Sequence, residues 1–157
     1  MQLAVADEVA RSLIQERLPR HWRWKLQYHN SVNIWGWCFA DTRVISLSRP
    51  LIRCNKESLL REVVLHEVAH AIVDNYHGTS GHNQTWKKIA IALGASGHRL
   101  VFNSISPPPR FEGQCQHCGN TDGSHKRYLV CKFCPTWGIK PRKCPMTWTK
   151  HRFWESL

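Results

Sequence analysis

The stretch ESLLREVVLHEVAHAIVDNY, residues 57–76, decides how this chain is read. Leu59, Leu60, Val63, Val64, Leu65, Val68, Ala69, Ile72 and Val73 recur at helical spacing and cover nearly the whole circumference, which predicts a long helix buried on most sides. Glu57 falls in its first turn, Asn55 or Ser58 is the candidate cap, and Gly78 is placed to stop it. Within this apolar surface stand His66, Glu67 and His70. Buried polar groups need partners, and one metal ion supplies a partner for all three. Histidines at i and i+4 share a helix face, so both imidazoles can reach one tetrahedral zinc at roughly 2.0–2.1 Å. Glu67, one residue along, can lie over a metal-activated water and take its proton without occupying a ligand position. At this histidine content about 0.03 accidental HExxH matches are expected in the chain, so chance is a poor explanation of the motif.

A catalytic zinc usually takes three protein ligands and keeps a fourth position open. Downstream candidates are His77 and His82, with Asp74 a weaker one. A ligand directly after the helix must bend back sharply, whereas Gly78 and Gly81 supply a turn that can return His82 to the metal as the next helix begins. His82 is therefore preferred; His77 is the fallback, or a hydrogen-bond donor to substrate.

Outward from this helix, Leu3, Ala6, Val9, Ala10, Leu13 and Leu18 mark an amphipathic helix over 2–17, ended by Pro19. Residues 22–28, 32–40 and 42–47 are rich in β-branched and aromatic side chains and separated by turn formers, which predicts a three-stranded antiparallel meander. Residues 83–93 form another helix, with Gly94 as terminator. The expected fold is α+β: a small zincin-like metalloprotease domain over 1–103, with helix, meander, HExxH helix and further helix, then a C-terminal zinc ribbon. Three consecutive prolines in SISPPPR, 104–110, favour a stiff extended spacer, so a linker is expected over 104–112 and the ribbon with its basic aromatic tail over 113–157. No apolar run approaches the roughly 20 residues of a membrane helix. Asp7, Glu8, Arg11 and Glu16 interrupt the segment where a secretory signal would be apolar, so an intracellular, cytoplasmic or nucleoid-associated setting is expected.

The C-terminal part has too few aliphatic residues for an ordinary core, and a metal staple becomes a physical requirement. Cys115, Cys118, Cys131 and Cys134 form two CxxC pairs that can present four thiolates to a closed structural zinc, with His117 or His125 able to replace a cysteine. Cys38 and Cys54 read as core thiols, and Cys144 has no assigned role. The chain carries 22 Lys and Arg against 11 Asp and Glu, a net charge of +11, which favours polyanionic partners. Lys126, Arg127, Lys132, Lys140, Arg142 and Lys143, interleaved with Trp137 and Trp148, combine cations for phosphates with aromatic faces for bases. The alternative is that the aromatics build a small core and the cations a solvated rim.

HEVAHA at 66–71, HGTSGHNQTWKK at 77–88 and WGWCFADTRVISLSRPLI at 35–52 together resemble the SprT/Spartan family of zinc metallopeptidases, and with the cysteine pairs the likeness runs from about residue 20 to 135. The resemblance implies His66, His70 and His82 as zinc ligands, Glu67 as catalytic acid and base, and a role in removing proteins crosslinked to DNA. Asn83 and Trp86 stand where the family commonly has Gly and Phe, a departure that bears on the substrate pocket. The expected function is a zinc endopeptidase, monomeric, with one catalytic and one structural zinc. It would bind DNA that is single-stranded or has single-stranded features, cleave DNA-bound proteins, and have no membrane partner. Two other classes are a non-catalytic zinc-ribbon nucleic-acid-binding accessory protein and a zinc hydrolase acting on nucleic acid itself.

Overall fold

The computed structural model of the chain describes residues 1–78, 81–101, 103–137 and 144–155. They form two compact units, Met1–Pro107 and Pro108–Leu157.

In the first unit, α1 (Leu3–Arg17) buries Ala6, Ala10, Leu13 and Ile14 against α3 (Glu57–His77), the small alanines allowing close approach of the two helices. Between them in sequence lie β1 (Lys25–His29), β2 (Gly36–Phe39), β3 (Val44–Ser48) and α2 (Arg49–Cys54). The sheet order is β1-β3-β2: β2 and β3 are antiparallel, with Trp37 opposite Ser46, whereas β1 and β3 are parallel, with Gln27 opposite Ser46. The expected antiparallel meander is thus corrected to a mixed sheet. Strand directions still alternate along the chain; what differs is lateral order. β3, buried at all five positions, takes the centre where both edges are paired, and the more polar β1 is moved to its far side. Residues 30–35 cross the sheet end to do this, held where Ser48 donates from its backbone to the Trp35 carbonyl at 2.8 Å and from its hydroxyl to the Ser31 carbonyl at 2.6 Å.

The short helix α2 was not expected from the sequence. Ser48 caps it by accepting from the Leu51 amide at 3.3 Å, and Pro50 sits in its first turn, where a missing N–H costs nothing. Asn55 does not cap α3 as expected. Its amide instead donates to the carbonyls of Leu51 and Ile105 and accepts from the Ile105 N–H at 2.7 Å, tying the segment after the last helix of this unit to α2. α3 buries Leu60, Val63, Val64, Leu65, Val68, Ala69, Ala71 and Val73 between α1, β2 and α4 (Gln84–Leu93). No described helix is long and apolar enough to cross a membrane.

The second unit is a three-stranded antiparallel sheet ordered β5-β4-β6, from β4 (Phe111–Cys115), β5 (Thr121–Ser124) and β6 (Met146–Lys150). Its interior contains Cys115, Cys131, Cys134 and Cys144, all at most 2% exposed, rather than an aliphatic cluster. None of the seven cysteines, all of them among the described residues, forms a disulfide.

Candidate active site

The HExxH helix forms because its apolar residues find cover on three sides, and that cover also fixes the direction of its two histidines. The Nε2 atoms of His66 and His70 lie 3.3 Å apart, and His82, just ahead of α4, lies 2.8 Å from the first and 3.2 Å from the second. Tetrahedral coordination at 2.0–2.1 Å separates two nitrogens by about 3.3 Å, so this triangle has the size a zinc ion requires. Three imidazole nitrogens facing one point cannot satisfy one another with protons, and a shared cation resolves the conflict. The His98 backbone hydrogen-bonds the His66 ring, the kind of outer contact that orients a metal-binding imidazole. Burial, followed by the neighbouring histidines, pushes His66 and His70 down to about 4, and burial with Arg99 lowers His82. All three therefore favour the neutral form that binds metal.

His82 arrives through a turn in which Gly78 (φ 58°) and Gly81 (φ 92°) both take left-handed backbone, where a side chain is strained. Asn83 then starts α4 by accepting from the Trp86 amide at 2.9 Å. His77, the fallback ligand, is exposed at the end of α3 and belongs to no ligand cluster among the described residues. Trp86 is 1% exposed and forms the floor of the site, stacked on His70 at 5.2 Å and edge-on to His66 at 4.7 Å and His82 at 4.4 Å.

Glu67 is only 6% exposed and lies in a cleft of about 300 Å³ lined also by Gly36, Trp37, Cys38, Asp74 and the three histidines. Burial pushes its carboxyl up to about 8, so it can hold a proton near neutrality. A Cβ on Gly36 would come within 2.7 Å of Glu67 Oε1, so only glycine admits this carboxylate against β2. Sequence reasoning missed Gly36, although a glycine inside a strand pattern signals close approach of another group. Cys38, read as a core thiol, packs against the core of the first unit and also lines the cleft; burial and then the charges of Glu67 and Asp74 push it up to about 12, which keeps it protonated and unreactive.

In the second unit, Cys115 Sγ and Cys134 Sγ are 3.8 Å apart, and Cys118 Sγ and Cys131 Sγ 3.7 Å. Four thiolates around zinc at 2.3 Å stand about 3.8 Å from one another, so the cluster fits a zinc ribbon. Of the residues expected to touch nucleic acid, Lys126 and Arg127 are exposed, and Arg127 lies over the Phe111 ring at 5.2 Å. Lys132 pairs with Asp122 at 2.9 Å and lies over Tyr128. Trp148 covers Gly113, meets Tyr128 edge-on at 4.7 Å and donates from Nε1 to the Tyr128 carbonyl at 2.7 Å, so much of its face is used by the ribbon itself. Trp137 ends a 3-10 turn, Cys134–Trp137; Lys140, Arg142 and Lys143 lie outside the described residues.

The sequence model of the SprT-like family matches residues 6–106, the span that holds the sheet, the three-histidine cluster and Glu67. The chain belongs to the SprT-like family, and its first unit is a metallopeptidase-like domain. No curated protein and no solved structure matches the chain.

Proposed function

We propose that the protein is a zinc endopeptidase that acts on proteins bound or crosslinked to DNA. The observation that carries the reading is the triangle of three imidazole nitrogens at 2.8–3.3 Å with a buried carboxylate beside it, in a SprT-like domain. A zinc ion held by His66, His70 and His82 supplies Lewis-acid activation of water and stabilises negative charge on a carbonyl oxygen. Glu67 takes the proton of the attacking water and delivers it to the leaving amine nitrogen. Its apolar surroundings hold the proton between the two transfers. Among the described residues β2 is an edge strand along the cleft, and the side turned away from β3 can receive a substrate backbone as an added strand, which gives affinity with little side-chain selectivity.

The DNA part of the reading rests on charge. Lys and Arg outnumber Asp and Glu by 22 to 11 in the whole chain, and exposed Lys126 and Arg127 belong to the ribbon. Cations of this kind neutralise phosphates whatever the sequence. Holding peptidase and substrate on one strand raises their effective concentration and confines cleavage to proteins carried by DNA.

The test is an assay of the full chain on a DNA-binding protein, with and without single-stranded DNA and with a chelator control. Cleavage is expected to need metal and to rise with DNA. Glu67→Gln is expected to keep its zinc and lose cleavage. Full activity in that variant removes Glu67 from the chemistry, and an inactive zinc-loaded wild type favours a nucleic-acid-binding accessory role.

A further inference from the structure

Cys144 takes no part in the four-thiolate set, yet it is fully buried in the same core. Its backbone carbonyl accepts from the Cys131 amide at 3.0 Å, and Val130 and Pro145 form a β-bridge beside it. The next residue, Pro145, accepts from the Gln116 amide at 3.1 Å. Both CxxC knuckles therefore grip the chain around Cys144, and its thiol is placed rather than stranded. Its ligand atom, the Cys134 sulfur and a nitrogen of His117 all lie within 4.8 Å of one another, with Cys134 Sγ 3.9 Å from His117 Nδ1.

We propose that His117, Cys134 and Cys144 form a second metal position in the ribbon, sharing the Cys134 thiolate with the ion of the four-cysteine set. Sulfur at 2.3 Å and imidazole nitrogen at 2.0–2.1 Å from one tetrahedral ion stand about 3.6 Å apart, close to the spacing of the Cys134 and His117 atoms. A thiolate has lone pairs for two ions, and a soft sulfur and imidazole set selects thiophilic ions such as zinc, cadmium or copper(I) over magnesium or calcium. Charge favours the pairing. Four thiolates around one divalent ion leave two negative charges in a core without aliphatic bulk, and a fifth thiolate adds a third. A second divalent ion held by Cys144 and neutral His117 leaves one. His117 is exposed, so this position opens to solvent, unlike the closed four-thiolate site.

The experiment counts ions and is blind to proteolysis. The full chain is loaded with excess zinc under reducing conditions, freed of loose metal, and weighed by native mass spectrometry. Wild type is expected to hold three ions, one at the three-histidine site and two in the ribbon. His117→Ala, Cys144→Ser and the double variant are each expected to hold two. The equal count in single and double variants shows that the two residues serve one ion. Loss at the three-histidine site is recognised separately, because His82→Ala removes one ion whether or not the ribbon position exists. Cadmium-113 NMR of the wild type is expected to give two thiolate-bound ribbon signals coupled through the shared sulfur. If Cys144→Ser does not fold, the exposed His117→Ala decides. A wild type with a single ribbon ion, or an unchanged count in His117→Ala, overturns the proposal.

Discussion

The carboxylate of Glu67 rests against the backbone of Gly36, so close that a Cβ there would stand 2.7 Å from Oε1 and 2.9 Å from Cγ. The close approach locks β2, the strand proposed to receive substrate, to α3, the helix that carries the proposed proton-transfer group. Gly36→Ala must move one of them. A misplacement near 1 Å can cost about 10²-fold in rate, and that is the loss expected in kcat, with zinc content unchanged because no ligand is touched. Wild-type turnover in the alanine variant, measured beside metal content, would refute the coupling.

Trp86 supports the rings of His66, His70 and His82 from below. Trp86→Ala leaves a large cavity and is expected to cost about 3–5 kcal/mol in denaturant unfolding, with weaker zinc binding. Trp86→Phe keeps an aromatic floor. It also removes an indole N–H that is buried with no acceptor among the described residues, which offsets part of the lost packing. Its cost is expected to be well below that of alanine, and equal losses would argue against a packing role for the ring.

Asp7 accepts from Arg11 Nε at 2.7 Å and from the Tyr28 hydroxyl at 2.9 Å, linking α1 to β1. The Arg11 hydrogen bond, and then that of Tyr28, hold its carboxyl below the usual carboxylate range against a raising effect of burial. A group lowered in the folded state stabilises above its unfolded pKa, about 3.9, and that contribution is lost as pH falls through the lower folded value. Asp7 is about a third exposed, so solvent screening limits the contribution to about 1 kcal/mol or less. Urea unfolding is expected to show Asp7→Asn less stable than wild type at pH 7, the gap closing at low pH. A gap that is the same at both ends of the range would rule out the charge as its source.

The ribbon core consists of thiols, and a unit of this size lacks the apolar burial to stand without metal. Stripping metal with a strong chelator is expected to abolish amide-exchange protection in β4, β5 and β6. Protection in α1 and β3, which rest on the aliphatic core of the first unit, is expected to persist. Retained protection in the three ribbon strands would show that they hold without an ion.

Much of the architecture was legible because it is local. Apolar residues at 3.6 spacing place α1, α3 and α4 within a residue or two of their ends, and Gly78 and Gly94 stop helices as left-handed caps. The three strands were visible as β-rich segments, each longer in the sequence reading than in the sheet, where pairing alone sets the ends. α2 was hidden because Pro50 reads as a breaker until Ser48 is seen capping the turn that contains it. Asn55 reads as a cap by position, but its buried amide finds better partners at Leu51 and Ile105.

By itself the sequence determined the buried helix with its two histidines and glutamate, the alternating strand directions, and the cysteine pairs spaced for metal. Each of these depends on residues within a turn or two of one another, where backbone geometry leaves few choices. Tertiary structure alone decided that β3 lies between its neighbours, that Gly36 faces Glu67, and that Cys144 enters the thiol core. These are meetings between segments distant along the chain. They are settled by which surfaces exclude water from each other, and no local pattern records that outcome.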